Sequence, residues 1–184
     1  MAMRFKIPVK TILGIVCIVL VFVVFLLYYA GMFDRITMSV RTTGQLHVVC
    51  RDNIGPYKGT RYVMYDVFKY LTDKRNMHPM AGIGIFYDNP NVVAEKDLHS
   101  KAGCVVDSLP QDVAAPYEAL TLDSMRAVVG EFKIRSALSN FSGTLKFYSG
   151  LGKYAHKNNI VVGSPIIEVY DMTAHKILYI APIK

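Results

Sequence analysis

The residue with the clearest chemical potential is Glu168, set in the run Pro165-Ile166-Ile167-Glu168-Val169-Tyr170. A carboxylate inside a strand-like apolar run has two destinations. It can line a cleft, where aromatic walls from Tyr57, Tyr87 and Tyr170 would join it in attracting a cation through charge and ring quadrupole together. It can also alternate outward to solvent or pair with a nearby Lys or Arg, which the period-two alternation with Ile167 and Val169 allows equally. The candidate ligand-binding residues are therefore Tyr57, Tyr87, Glu168 and Tyr170.

Other chemistries find fewer residues. The histidines His47, His78, His99, His156 and His175 form neither an HExxH motif nor an i, i+4 pair. There is no CxxC and no Cys/His cluster at zinc spacing, so neither a metal nor a cofactor is expected. His99 beside Ser100 or Cys104 lacks a third group to orient a nucleophile and base. No GxSxG elbow, Walker A loop or GxGxxG fingerprint occurs. Gly82-x-Gly84 does not open a helix, so it cannot cradle a phosphate. No catalytic residue is assigned. Cys17 sits in an apolar run, while Cys50 and Cys104 lie in strand-like HVVC and GCVV. They read as reduced core residues, with one disulfide open to them if the domain is lumenal.

The elements that must position these residues begin with an uninterrupted apolar run from Thr11 to Phe33, free of charge and proline. A hydrocarbon core about 30 Å thick needs roughly 20 such residues of helix, so one transmembrane helix is predicted. A cleaved signal peptide would have a shorter apolar region and a small-x-small site, whereas Tyr28-Tyr29 resembles an interfacial belt. Arg4, Lys6 and Lys10 precede the span and Arg35 and Arg41 follow it, a small bias toward a cytosolic N-terminus. The Asn140-Phe141-Ser142 sequon would be usable on the opposite side; its alternative reading is a turn or cap before a helix. The formal net charge of +7 comes from scattered residues rather than a long basic block. Basic residues near an anionic bilayer account for it, and no nucleic acid is expected as partner.

Residues 1–10 form a short flank, 11–33 the span and 34–184 one domain, with halves at about 36–110 and 117–184. In the first half, strand-like Leu46 to Cys50 leads to turn chemistry at Asn53-Ile54-Gly55-Pro56. A helix over Thr60 to Lys74 buries Val63, Val67 and Leu71, joined by Met64 and Phe68. Strands at Gly82–Tyr87 and Ala102–Val106 follow. The second half repeats the order: a strand over Met125–Ile134, then a helix over Ser142–Lys157 with Leu145, Tyr148, Leu151 and Ala155 facing inward. Strands at Pro165–Tyr170 and Lys176–Ile183 complete it. Two β-α-β-β units paired in one sheet, both helices on one face, give an α+β domain with a cleft between its halves.

Ile54-Gly55-Pro56-Tyr57, Gly84-Ile85-Phe86-Tyr87-Asp88-Asn89-Pro90, Pro165 to Tyr170 and the closing Tyr179-Ile180-Ala181-Pro182-Ile183 resemble the GyrI-like small-molecule-binding domain. The resemblance implies a tandem SHS2 fold around a central cleft. It also implies a cationic or amphipathic small-molecule ligand held by an acid in an aromatic cavity. Some GyrI-like proteins are hydrolases, so a membrane-tethered hydrolase using the same cleft is the alternative function. Their acid just before the last strand's proline has no counterpart in Ile177-Leu178-Tyr179-Ile180. An apolar span followed directly by this domain is similar to endoplasmic-reticulum membrane proteins that act as reticulum-phagy receptors. That similarity implies a cytosolic domain and protein partners from the autophagy or membrane quality-control machinery. In those receptors the interaction motif lies in a tail, and this sequence stops at Lys184. The aromatic-x-x-aliphatic candidates here are Phe33-Asp34-Arg35-Ile36 and Tyr117-Glu118-Ala119-Leu120.

Overall fold

The computed structural model describes residues 8–136 and 138–184. Arg4 and Lys6 of the N-terminal flank lie outside the described residues. The first element, helix α1, runs Val9–Tyr29 and is long and apolar enough to cross a membrane. At 1.5 Å per residue its 21 residues extend about 31 Å. Apolar sequence continues to Phe33, yet the helix stops because Gly31 adopts a positive φ of 73°. The amides of Gly31 and Met32 turn back to the carbonyls of Tyr28 and Leu27, which satisfies the last turn before the chain changes direction.

The domain contains strands β1 (Thr37–Thr42), β2 (Leu46–Ile54), β3 (Ala81–Phe86), β4 (His99–Val106), β5 (Glu118–Leu122), β6 (Arg126–Lys133), β7 (Ile166–Asp171) and β8 (Lys176–Pro182). Helix α2 (Thr60–Lys69) continues into a single π turn at Tyr70–Lys74, and α3 spans Ser139–Lys157. All eight strands form one antiparallel sheet in the order β1-β6-β8-β7-β3-β4-β2-β5. The β2-α2-β3-β4 and β6-α3-β7-β8 units meet where β3 pairs with β7, placing Gly84 opposite Glu168. Each unit also takes an edge strand from the segment preceding the other: β1 pairs with β6, and β5 with β2. This exchange was not expected from the sequence, in which no element was assigned to residues 37–42 and no strand pairing to β5.

Both helices pack on the same sheet face. Val63, Val67 and Leu71 of α2 and its π turn meet Val49, Ala102, Cys104 and Val106. From α3, Phe147 and Leu151 meet Val128, Ile177, Tyr179 and Ala181. The opposite face buries Val48, Ile83, Ile85, Val105, Ala127, Val129, Ile167 and Val169 with no helix against it. Leu46, Tyr87, Leu120, Leu122 and Met125 pack against this cluster.

Two helix faces differ from expectation. Phe68 is exposed, because the residues between Val63, Val67 and Leu71 turn outward. On α3, Leu145 also points out, and the large residue in the core is Phe147. Ser139, Ser142 and Gly143 are buried instead, since α3 approaches Phe132 and Tyr179 through small residues. A Cβ on Gly143 would lie 2.5 Å from the Tyr179 hydroxyl. Asn140 is exposed inside the first turn of α3, not in a turn or cap ahead of it.

Candidate functional site

The alternation of β7 sends Ile167 and Val169 to the inner cluster and Ile166, Glu168 and Tyr170 toward the helices. On β3 the same alternation puts Gly82, Gly84 and Phe86 on the helix side. With no side chain at Gly84, the Phe86 ring folds over it; a Cβ there would sit 2.8 Å from Phe86 Cζ. A cavity of about 690 Å³ forms above this join. Tyr57, in the 3-10 turn just ahead of α2, and Thr60, at the start of α2, make one wall, Thr144, Tyr148 and Leu151 of α3 the other. The Asp88–Asn91 turn and Gly163-Ser164 form its rim, bridged where Ser164 Oγ donates to the Tyr87 carbonyl across 2.8 Å.

Glu168 lies at the floor, 4% exposed. The Tyr148 hydroxyl donates to its Oε1 across 3.1 Å, and the Tyr170 hydroxyl donates to Oε2. Among the described residues no Lys or Arg pairs with it. Burial pushes the carboxyl above its usual range, and the two phenol donors oppose that shift. The same burial, with the Glu168 charge beside them, raises the phenols of Tyr148 and Tyr170. In its ionised form Glu168 has both oxygens partly satisfied by phenols and no cation beside it among the described residues.

All four residues selected from the sequence border this one cavity, but they present different atoms to it. Glu168 and Tyr170 contribute the floor. Tyr57 contributes its ring, edge-on to Phe86 at 4.8 Å, because its hydroxyl is bonded to the backbone carbonyl and amide of Asp88. Tyr87 reaches only the edge: its ring lies on the other sheet face, stacked on His99 at 4.8 Å. The neighbouring Phe86 supplies the aromatic wall instead. Tyr148, read from the sequence as a core residue, is the second missed contributor. Its ring is partly exposed while its hydroxyl points into the cavity. Position i+4 from Thr144 and i−3 from Leu151 on α3 would have put it on the cavity side, had the helix phase been known.

The remaining chemical candidates separate. His99 begins β4, with Nε2 2.9 Å from Asp52 Oδ1, whereas Ser100 is buried on the opposite face and bonded to Asn53. Cys104 faces α2 and does not meet His99. Cys50 and Cys104 are both free and buried, and desolvation pushes each thiol up to about 12. No group of three His, Cys, Asp or Glu among the described residues is placed to hold a metal. Tyr117 stacks on Tyr70 at 4.1 Å and donates to Asp66 across 3.1 Å, while Glu118 pairs with Lys101. In the other aromatic-x-x-aliphatic motif, Ile36 packs beside the α3 core and Asp34 is held by Arg135.

The sequence matches no family model and no curated protein. Solved structures are similar in fold. The C-terminal domain of EcmrR superposes with a TM-score of 0.61 at 12% identity, covering 81% of this chain and 98% of that one. EcmrR in its DNA complex, determined by cryo-EM, superposes with a TM-score of 0.59 at 9% identity, over 95% of this chain and 68% of that one. At these identities the likeness concerns the fold alone: the domain after α1 is an α+β domain that resembles GyrI-like folds.

Proposed function

We propose that this chain is a single-pass membrane protein presenting a GyrI-like binding module, residues 34–184, that receives an amphipathic cation over β3 and β7. The observation that carries the reading is Glu168: a buried carboxylate whose described partners are two phenols and no cation. A positively charged guest would supply the missing countercharge, and the rings of Tyr57 and Phe86 would contact its apolar parts. A volume of about 690 Å³ suits a small organic molecule. The alternative, hydrolysis in the same cleft, needs an activated nucleophile. The upward shift of the cavity phenols works against that chemistry.

The length and composition of α1 support a membrane span. The order of anchor and domain resembles testis-expressed protein 264. On that basis the reading extends to the endoplasmic reticulum, with a cytosolic domain and a partner from the autophagy or quality-control machinery. Because Tyr117 is already engaged by Tyr70 and Asp66, such a partner would have to use another segment. Protease protection of intact microsomes tests the topology; a protected domain would overturn the cytosolic assignment.

Calorimetric titration of the full chain in nanodiscs with a lipophilic quaternary ammonium, against its neutral carbon isostere, tests the ligand class. The cation is expected to bind and the isostere to bind more weakly. Equal binding, or cation binding unaltered by Glu168→Gln, would overturn the reading.

A further inference from the structure

The connection between α1 and the domain is built as a joint. Ser136 Oγ donates to the carbonyl of Tyr29, the last residue of α1, across 3.1 Å. The Arg135 guanidinium lies 5.4 Å from the Tyr28 ring centroid and grips both oxygens of Asp34 at 2.7 and 2.8 Å. Lys146 donates to the carbonyls of Gly31, Met32 and Asp34. These contacts fix the beginning of α3 beside the end of the span.

Leu138, the residue capping α3, is followed by Phe141, Leu145 and Tyr148 at spacings of three, four and three, which continues one face of α3. All four are exposed, Phe141 by 70%. The stripe starts next to the joint and ends at Tyr148, whose hydroxyl is already inside the cavity. At 1.5 Å per residue it rises about 15 Å from Leu138 to Tyr148. Exposed apolar and aromatic side chains held beside the end of a membrane-crossing helix match the chemistry of a bilayer interface.

We propose that the Leu138-Phe141-Leu145 stripe of α3 rests in the headgroup region of the membrane that α1 enters. The cavity mouth would then sit at the lipid surface, and an amphipathic guest would reach Glu168 along α3 from the bilayer. The inference rests on the membrane part of the proposed function, because the joint carries α3 to the bilayer only if α1 is inserted. It does not depend on which guest the cavity takes.

The chain contains no tryptophan, so one introduced residue reports alone. The full chain would be reconstituted into vesicles of phosphatidylcholine and phosphatidylserine with acyl chains brominated near the headgroup. Phe141→Trp is expected to show blue-shifted emission and to lose most of it to the bromines. Ile54→Trp, exposed on the domain away from the joint, should keep its emission and respond to aqueous iodide. Phe22→Trp, within α1, reads insertion of the span. Loss of emission at position 22 with none at 141 would overturn this proposal while leaving the span intact. No loss at either position would overturn both. Iodide quenching at 141 equal to that at 54 would instead mark the stripe as open to water, as a protein-docking face would be.

Discussion

Tyr148 on α3 donates to Glu168 on β7 across 3.1 Å, so a helix forming the cavity wall is tied directly to the acid on its floor. Tyr170 binds the other carboxylate oxygen from the same strand as Glu168. Each oxygen keeps an additional lone pair for a further donor or a cation. The phenols lower the cost of burying the charge without cancelling it, which leaves the site suited to a positive guest.

The first prediction concerns pH. Because burial raises the native pKa of Glu168, the folded protein holds this proton at a pH where the unfolded chain has lost it. Its contribution to stability is therefore present below the ordinary carboxylate value and is lost as pH rises through the native value. Cation binding has the opposite sign, since it needs the ionised form, and weakens as pH falls through that value. Glu168→Gln should flatten both profiles and weaken cation binding by about 2 kcal/mol or more. Calorimetric titrations across pH check this. A variant retaining the pH-dependence of the parent would assign the titration to another group.

Removing the phenol donors tests the remaining balance. Tyr170→Phe leaves a buried carboxylate oxygen without its donor and should destabilise by about 1–3 kcal/mol in urea unfolding. It should also move the pH midpoint of cation binding upward, because a donor favouring the ionised form is lost. Tyr148→Phe should produce the smaller stability loss, since its partly exposed position allows water to replace the hydroxyl. An equal stability loss from both substitutions would contradict this ordering.

How much of this site can be read from sequence depends on which physical signal each residue carries. Glu168 is legible because a carboxylate between Ile167 and Val169 conflicts with its surroundings, and the two helices are legible from their apolar spacing. The phase of α3 is not. It packs through Ser139, Ser142 and Gly143 against Phe132 and Tyr179, so its buried arc contains few large apolar residues, while Leu138, Phe141 and Leu145 advertise the wrong side. β1 is obscured for a different reason. Thr37 to Thr42 has only Met38 and Val40 to pack inward, and its partner β6 lies far along the chain. Nothing local reveals an edge strand exchanged between units. Tyr87 borders the cavity only at its edge, because one residue of alternation gives the aromatic wall to Phe86.

Glycines make a paired test of packing. Gly103 in β4 lies so close to β2 that an ideal Cβ would be 2.0 Å from the Val49 carbonyl oxygen and 2.5 Å from Cys50 Cα. Those are backbone atoms in a central strand, so Gly103→Ala should cost about 3 kcal/mol or more and lower expression of folded protein. Gly152 in α3 has nothing within 4 Å of the same position. Gly152→Ala should stabilise by about 0.5–1 kcal/mol through helix propensity alone. Urea midpoints of the two variants should move in opposite directions. A tolerated alanine at 103 would mean that β2 and β4 can separate to admit a methyl group.

The joint can be tested by removing its central cation. Lys146 donates to the backbone carbonyls of Gly31, Met32 and Asp34, while its stem passes the Phe132 ring with Nζ 5.4 Å from the centroid. Lys146→Met keeps the apolar stem and deletes only the charged donors. Hydrogen bonds to a charged group contribute about 1.5–3 kcal/mol each at most, and here they share one ammonium with partial solvent access. A loss of about 1.4–2.8 kcal/mol would raise the local opening equilibrium roughly 10- to 100-fold. Trypsin must draw an extended segment into its active site, so cleavage after Arg35 reports this opening directly when reclosing is faster than cutting. In nanodiscs the variant should be cut there correspondingly faster than the parent, with cleavage at Lys96, in the distant loop, unchanged. Arg135→Ala should act in the same direction but less, because its ion pair with Asp34 is more exposed to solvent. If both variants were cut at the parent rate, the linker would be held by its backbone turn at Gly31 alone, and the rigid placement of α3 against the membrane would lose its support.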